Sequence, residues 1–396
     1  MVFGGLRGDG RGWTLLAIAS GWVFVLGGRF LVPAVLPQVK TAFAVGDVGA
    51  GVAVTIIWAS YGLMQTPAGL LIDRVGERQL LAGSVILTAT SVVIIGAAPA
   101  FLAFLVGCGG FGLATGLYGP ARGTALSRTF PGHDGAAIGA TLAAGSVGSA
   151  VLPLVAGSLV GAVSWRLLVG GLAAPLVAVG VLIWATVPSF SSGDRTASDG
   201  ETNTGSIPVG DVLAAIRTRQ VAIAVTAMTL MIFVFQGVSA FYVTYLTSIT
   251  GFAQSTAAAM FSLVFVGGAI AQLGGGSLAD AVGDRPVLIG VAGITVPVLV
   301  AIPMLESRLT VALASLLLGI RLGVTAVSNA YIIAVLPESV TGTAWGLIRT
   351  TSFLVAATGS TVVGVFADND MFDEAFLLLA GLTAVATLLY TQLPDR

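Results

Sequence analysis

The chain has 396 residues, of which 56% are hydrophobic and only 9% are charged, and its formal net charge at pH 7 is -1. So few charged residues cannot cover the surface of a water-soluble globule of this length. The composition therefore excludes a soluble protein and places the chain in a lipid bilayer.

Apolar segments of the length that a membrane-spanning helix needs, about 20 residues, follow one another along almost the whole chain. We predict an all-α integral membrane protein with twelve transmembrane helices, called spans 1 to 12. Spans 1 to 6 are 13–37, 48–71, 79–98, 100–126, 136–160 and 166–187. Spans 7 to 12 are 219–248, 255–278, 287–305, 310–335, 342–367 and 372–393.

The stretch from Ser189 to Gly210 breaks this pattern, because it is polar, acidic and rich in Gly and Ser. Such a composition predicts a flexible linker. The sequence thus divides into an N-terminal six-helix bundle, 1–188, a cytoplasmic linker, 189–216, and a C-terminal six-helix bundle, 217–396.

Four residues of the loop between spans 2 and 3 recur 207 residues later, between spans 8 and 9. The pairs are Gly69 and Gly276, Asp73 and Asp280, Gly76 and Gly283, and Arg78 and Arg285. A constant offset that includes Asp and Arg is hard to obtain by chance, and internal repeats are typical of transporter folds. The two bundles are therefore predicted to be pseudo-symmetric, although Arg74 is matched by Ala281.

Twelve spans in two halves, a central linker and the doubled Gly-x-x-x-Asp-x-x-Gly-x-Arg loop resemble the major facilitator superfamily of secondary transporters, from end to end of the chain. The resemblance implies that the loop is a conformational latch, with Asp73 facing span 11 and Asp280 facing span 5 while the central cavity opens outward. The latch residues would be Gly69, Asp73, Arg74, Gly76, Arg78, Gly276, Asp280, Gly283 and Arg285.

The basic residues outside the spans predict the orientation. With both termini in the cytoplasm, ten arginines lie inside, against Lys40, Arg166 and Arg308 outside. The ten are Arg7, Arg11, Arg74, Arg78, Arg128, Arg195, Arg217, Arg219, Arg285 and Arg396. This distribution fits the positive-inside rule, and we expect a multi-pass protein of the cell membrane.

No acid falls well inside a predicted span, but four arginines lie within spans: Arg29 in span 1, Arg122 in span 4, Arg321 in span 10 and Arg349 in span 11. A charge at this depth costs roughly 2.5–3.5 kcal/mol and needs a partner. Guanidinium groups bind carboxylates and phosphates. We therefore predict an anionic substrate bound by Arg29 and Arg321. Arg122 and Arg349 lie near span ends, where membrane anchoring or pairing with loop acids is the alternative.

The resemblance implies that spans 1, 4, 7 and 10 surround the cavity. Polar and aromatic residues at helical spacing complete the predicted site: Trp58, Tyr61, Gln236, Tyr242 and Asn329. Asn329 lies beside a predicted helical stripe that runs from Arg321 through Thr325 and Ser328 to Ile332. Helix contacts or interfacial belts are the alternative role for such residues.

The only histidine, His133, has no partners at catalytic or metal-ligand spacing, and the sequence has no Walker-type loop. We therefore expect no enzyme, no catalytic residues, no metal and no cofactor. The favoured function is uptake or exchange of a small organic anion, either uncoupled or by anion exchange, because no carboxylate or histidine lies well inside a predicted span. The alternatives are efflux of lipophilic drugs and, from another class, a transporter-like sensor or scaffold. The expected partners are the small-molecule substrate and the lipid bilayer, without nucleic acid, and the expected state is a monomer.

Overall fold

The computed structural model describes residues 10–189 and 209–395 and builds them from helices. Spans 1 to 6 are Arg11–Ala34, Asp47–Val75, Glu77–Ala97, Phe101–Thr129, Asp134–Leu159, and the pair Trp165–Gly170 and Ala173–Thr186. Spans 7 to 12 are Arg219–Ser248, Gln254–Val282, Asp284–Ala301, the pair Arg308–Ile320 and Leu322–Val335, Thr341–Asp368 and Phe372–Thr391. Within the described ranges, twelve helices are long and apolar enough to cross a membrane, which confirms the prediction of twelve spans.

Three spans differ from their predicted form, and one of them is span 6, which is divided between Gly170 and Ala173. Span 1 ends at Ala34 rather than at residue 37, and a short helix, Leu36–Phe43, follows it. Pro37 lies in the first turn of that helix, where a residue without a backbone N–H is tolerated. Span 10 is interrupted at Arg321, where the N–H of Val324 donates to the Arg321 carbonyl at 3.1 Å. This three-residue bond tightens the backbone locally and marks a junction between two helices.

The two ends of the helical bundle can be told apart by contacts between span ends. The Thr14 hydroxyl near the start of span 1 donates to the Thr186 carbonyl at the end of span 6, at 2.7 Å. We call this end the linker side, because the predicted linker leaves it, and we call the opposite end the far side. At the far side the ring of Phe43 lies 6.0 Å from that of Trp165.

The linker is described only in its last part. Residues 190–208, which carry most of the predicted flexible segment, lie outside the described residues. Val209–Ile216 forms a helix, with Val212 and Ala215 buried against the second half. Hydrophobic burial therefore fixes the end of the predicted linker to the bundle that follows it.

The halves share one of the three hydrophobic cores. One core belongs to the first half alone, and a second belongs to the linker-side part of the second half. The third core combines both halves: Phe30, Ala50 and Val54 of the first half pack there with residues of spans 7, 8 and 11. Since Ala50 and Val54 lie near the far-side start of span 2, the halves are joined by apolar packing on the far side.

The repeated loop makes the same turn in both halves. Gly76 has φ 87° and ψ 158°, and Gly283 has φ 90° and ψ 158°. This backbone region is accessible almost only to glycine. The glycine pair of the motif is therefore required by the turn between consecutive spans.

On the far side, an acid at the end of span 11 holds the start of span 2. The Asp368 carboxylate accepts hydrogen bonds from the backbone N–H groups of Asp47, at 2.5 Å, and Val48, at 2.9 Å. A carboxylate at a helix N-terminus satisfies free N–H groups and meets the positive end of the helix dipole. Gly46 permits this approach, because a β-carbon there would lie 2.7 Å from the carboxylate oxygens.

We expect Asp368→Ala to shift the protein toward a conformation that is open on the far side. Loss of a cap of this kind costs about 1 kcal/mol, or roughly a fivefold change in the ratio of two conformations. The shift would be measured as faster maleimide labelling of a cysteine at Ala50, which is buried in the shared core, with Cys108 replaced by Ala. The control is Asp370→Asn, an exposed acid in the same turn. Equal labelling rates in the two variants would contradict a role for Asp368 in closing the far side.

Candidate functional site

A cavity of about 640 Å³ lies between the two halves. Spans 1, 2, 4 and 5 line it from the first half, and spans 7, 8, 10 and 11 line it from the second. The lining residues come from the middle of the spans and from their linker-side parts, such as Arg122 of span 4 and Gly342 of span 11. Its volume falls within the range of small-molecule sites, roughly 300–1,000 Å³.

The cavity is closed on the far side by contacts between the halves. The ring of Phe30 lies 5.7 Å from that of Phe235 and 4.6 Å from that of Phe265. Beyond these rings, Gln38 donates to the side-chain oxygen of Gln254 at 2.5 Å, and Gln254 donates to the Ala34 carbonyl at 2.8 Å. The cavity is therefore accessible from the linker side.

All four arginines of the predicted spans line this cavity. Among the described residues on its wall there is no Asp, Glu, Lys or His. The wall thus carries four formal positive charges and no negative one. Because such charges are costly in a low-dielectric region without an opposite charge, the electrostatics favour an anionic occupant.

Arg29 is almost completely buried and is held in place by the first half. Its Nε donates to the Thr115 hydroxyl and its Nη2 to the Thr115 carbonyl, both at 3.2 Å. The guanidinium carbon lies 3.8 Å from the ring centre of Tyr61 and 5.2 Å from that of Trp58. The aromatic faces favour the cation and fix the plane of the guanidinium group.

Arg321 is 4% exposed and lies at the interruption of span 10. Its Nη2 donates to the Met231 carbonyl of span 7, and its guanidinium carbon lies 4.8 Å from the ring centre of Phe235. Within the described part of the chain, Nε and Nη1 have no hydrogen-bond partner. Two buried nitrogen atoms of Arg321 are therefore available to donate hydrogen bonds to a ligand.

Arg122 and Arg349, for which the sequence left anchoring or pairing with loop acids open, lie on the cavity wall. The guanidinium carbon of Arg122 lies 4.3 Å from the ring centre of Trp22, and that of Arg349 lies 5.6 Å from that of Phe353. Nε and Nη1 of Arg122 and Nε of Arg349 have no hydrogen-bond partner among the described residues. The position of both arginines favours contact with a ligand over anchoring.

Four further predicted site residues lie on the wall as well: Trp58, Tyr61, Gln236 and Asn329. Tyr242 does not. Its hydroxyl shares a 2.8 Å hydrogen bond with the Ser315 hydroxyl, and its ring lies 6.5 Å from that of Phe261 inside the second half. Tyr242 therefore belongs to the packing of spans 7, 8 and 10, and the structure does not bring it to the cavity wall with the other predicted site residues.

The predicted stripe on span 10 is also corrected. Thr325 and Asn329 line the cavity together with Arg321. The hydroxyl of Ser328 instead shares a 3.0 Å hydrogen bond with that of Tyr390, and Ile332 is buried in the second half. The cavity face of span 10 consists of Arg321, Leu322, Thr325, Ala326 and Asn329, and Ser328 and Ile332 lie outside it.

Aromatic residues near the arginines were missed by the sequence analysis. Trp22, Trp345 and Phe353 all line the cavity. Trp22 lies seven residues before Arg29, and the other two lie four residues to either side of Arg349. Residues at these spacings share a helix face, so the signal was present in the sequence.

The unpartnered polar atoms on the wall are mostly donors. The indole N–H groups of Trp22 and Trp58 have no partner within the described ranges, in addition to the arginine N–H groups. Among the described wall residues, the side-chain oxygen of Gln236 is an acceptor without a partner. Because a buried donor left without an acceptor costs free energy, this site suits a ligand rich in acceptor oxygens.

The arginines of the repeated loop contact their own halves. The guanidinium carbon of Arg78 lies 4.4 Å from the ring centre of Trp184 of span 6. Arg285 donates to the Asp395 carboxylate and to the Thr391 carbonyl at the end of span 12, both at 2.7 Å. These contacts hold the loops within each bundle.

The remaining latch residues do not bridge the halves in this conformation, as far as the structure describes them. Arg74 and Asp280 are exposed, and Gly69 faces open space. The side chain of Asp73 and the surroundings of Gly276 lie outside the described part of the chain. The lack of contacts between the halves at these described residues agrees with a cavity that is open on the side where the loops lie.

A cavity between two six-helix halves, closed at one end and open at the other, defines a membrane transporter of the alternating-access class. The sequence profile of the Major Facilitator Superfamily matches residues 18–360 and, in a second alignment, 226–396. The chain belongs to the major facilitator superfamily and is a multi-pass membrane transporter.

Solved structures share the fold. A bacterial homologue of the human lysosomal transporter Spinster, inward-facing and unoccupied, is 16% identical, with a TM-score of 0.79 and 97% of each chain covered. The same kind of homologue in an inward-facing and occupied conformation gives a TM-score of 0.76 at 16% identity, with 96% of each chain covered. The nucleoside transporter NupG, as a point mutant, gives 0.79 at 14% identity, covering 96% of this chain and 98% of its own. No curated protein sequence matches the chain.

Proposed function

We propose that this transporter carries a small organic anion across the cell membrane, with the linker side and both termini in the cytoplasm. The observation that supports this most is the cavity wall with four arginines and, among its described residues, no acid. The excess of arginines in the linker-side loops supports the orientation. On this assignment, the conformation described above faces inward.

The proposed binding residues are Arg29 and Arg321, with Trp58, Tyr61, Gln236 and Asn329 around them. Arg321 supplies two nitrogen donors without a partner among the described residues, whereas Arg29 is oriented by Thr115 and by the ring of Tyr61. A bound anion offsets the charge of these arginines, which lowers the cost of excluding water when the two halves close around it. The protein acts as a monomer, since one chain supplies both halves of the site.

The direction is proposed to be uptake, or exchange of one anion for another. Proton-coupled carriers commonly use an intramembrane carboxylate or histidine, and the described wall of this cavity has neither. Arginine stays protonated over the physiological range. In anion exchange the arginines bind one anion after another, and in uncoupled uptake they bind an anion and then water. Neither mode of transport needs a proton transfer.

The loop motif is proposed to latch the halves on the linker side when the cavity opens outward. Asp73 and Asp280 would then meet the N-termini of spans 11 and 5, where a helix dipole favours a carboxylate. The exposure of Asp280 when this side is open is consistent with that role.

A second candidate is efflux of lipophilic drugs, because Phe30, Trp58, Phe235, Phe265 and Phe353 give the cavity large aromatic surfaces. Lipophilic cations would contact these rings favourably. The four arginines oppose such ligands by charge repulsion. For that reason the anion carrier is preferred.

We expect an organic carboxylate to raise the unfolding temperature of the detergent-purified protein. Ligand binding at about 100 times Kd adds roughly 2.7 kcal/mol to the free energy of unfolding. The thermal-shift panel contains carboxylates, phosphorylated metabolites, neutral sugars and cationic dyes, and positive compounds are then tested for flux into proteoliposomes. Stabilisation by lipophilic cations alone would favour efflux, and binding without any flux would favour a sensor or scaffold.

A further inference from the structure

Three of the four arginines form a group around one tyrosine. The guanidinium carbon of Arg29 lies 3.8 Å from the ring centre of Tyr61. The guanidinium carbon of Arg349 lies 5.6 Å from the ring centre of Phe353, and that ring contacts Tyr61. We call Arg29, Arg122 and Arg349 the three-arginine cluster. It combines two residues of the first half with one of the second.

Aromatic contacts hold this cluster together. The guanidinium carbon of Arg122 lies 4.3 Å from the ring centre of Trp22, and that of Arg29 lies 5.9 Å from the same ring. Across the interface, the ring of Phe353 lies 5.2 Å from that of Tyr61. The three arginines are therefore positioned relative to one another by aromatic rings of the cavity and are not independent surface charges.

Arg321 lies apart from this cluster, at the other end of a row of rings. Its guanidinium carbon is 4.8 Å from the ring centre of Phe235. From there the ring centres of Phe235 and Phe30, of Phe30 and Trp58, and of Trp58 and Tyr61 are each 5.7 Å apart. Arg321 and the three-arginine cluster are thus two positive centres, separated by the apolar rings of Phe235, Phe30 and Trp58.

Both centres have free N–H groups. Nε and Nη1 are unpartnered in Arg321, as are Nε and Nη1 in Arg122 and Nε in Arg349, counting partners among the described residues. A ligand with one anionic group would compensate one centre and leave the other without an opposite charge. The cost of each charge in the membrane interior is roughly 2.5–3.5 kcal/mol. Closure of the two halves is therefore most favourable around a ligand that places an anionic group at each of the two centres.

We propose that the substrate carries two separate anionic groups joined by an apolar body, as in a dicarboxylate. Arg321 binds one group, the three-arginine cluster binds the other, and the body rests on Phe30 and Trp58. This inference rests on the proposed anion transport and narrows its substrate class. Since Arg321 belongs to the second half and Arg29 and Arg122 belong to the first, such a substrate joins the two bundles directly.

The test compares acids with their own monoamides, which have nearly the same size and one charge fewer. Affinities of the full-length purified protein are measured by calorimetry for adipate and terephthalate, each beside its monoamide. We expect each dicarboxylate to bind at least about tenfold more tightly than its monoamide. We expect Arg122→Gln and, separately, Arg349→Gln to remove most of that preference. Arg217→Gln, an exposed arginine on the linker side, serves as the control and keeps the preference.

The two variants are expected to fold, because each removes an incompletely paired buried charge rather than a packed core group. Equal affinity of the unmodified protein for dicarboxylates and monoamides would overturn the two-centre proposal while leaving anion transport in place. A preference that survives in both variants would overturn the role of the three-arginine cluster. Failure of every acid and monoamide to bind would overturn the proposed function as well.

Discussion

Arg321→Ala is expected to abolish anion uptake while the protein still inserts and folds. The free Nε and Nη1 groups of Arg321 face the cavity from a junction between two helices, a position that no neighbouring side chain duplicates among the described residues. Hydrogen bonds to a charged group contribute about 1.5–3 kcal/mol each. Loss of two such bonds predicts at least about a hundredfold slower uptake at low substrate concentration.

The measurement is the initial rate of uptake of the stabilising acid into proteoliposomes, together with the unfolding temperature without ligand. Arg308→Ala is the matched control, because it removes an exposed arginine at the far-side end of the same span. We expect uptake by the control to equal that of the unmodified protein. Undiminished uptake by Arg321→Ala would remove the anion site assigned to span 10.

Gly148→Val is expected to prevent stable folding of the first half. A β-carbon at Gly148 would clash with the backbone of Val23 in span 1, and one at Gly27 would lie 2.5 Å from the Gly148 carbonyl oxygen. The two backbones touch, so a branched side chain must push spans 1 and 5 apart. Overpacking of this kind costs about 3 kcal/mol or more when backbone has to move. Displacement of Gly27 also moves Arg29, two residues further along span 1.

The yield of monodisperse protein in detergent and its unfolding temperature measure this effect. Gly139→Val is the matched control, because Gly139 lies on the same span and a β-carbon there meets nothing within 4 Å. Small residues at helix interfaces are a general means of close packing in membranes. An unchanged unfolding temperature in Gly148→Val would show that spans 1 and 5 do not pack through this glycine.

The sequence was sufficient to predict the architecture, because the lengths of the apolar segments and the internal repeat can both be read directly from the order of residues. Apolar runs set by the bilayer thickness predicted the twelve spans. The offset between Gly76 and Gly283 predicted two halves, and these glycines make the same turn. The interruption at Arg321 was not predictable from hydropathy, since both parts of span 10 are apolar.

The site was only partly predictable, because hydropathy gives the depth of a residue but not the neighbour that it faces. Arg29 and Arg321 were recognised by their depth. Arg122 and Arg349 lie nearer the span ends, and only the arrangement of spans 4 and 11 brings them to the cavity wall. The same limit explains Tyr242, which has a suitable depth but faces Ser315 inside its own half.

The shared geometry of Gly76 and Gly283 bears on how the chain enters the bilayer. Each glycine reverses the chain between two consecutive hydrophobic helices, and other residues can hardly adopt its backbone angles. Between the two copies of the loop, Arg74 has become Ala281, whereas the glycine has been kept. The turn is therefore one of the requirements that both copies keep, and we expect a substitution of either glycine to strain the reversal between two consecutive spans.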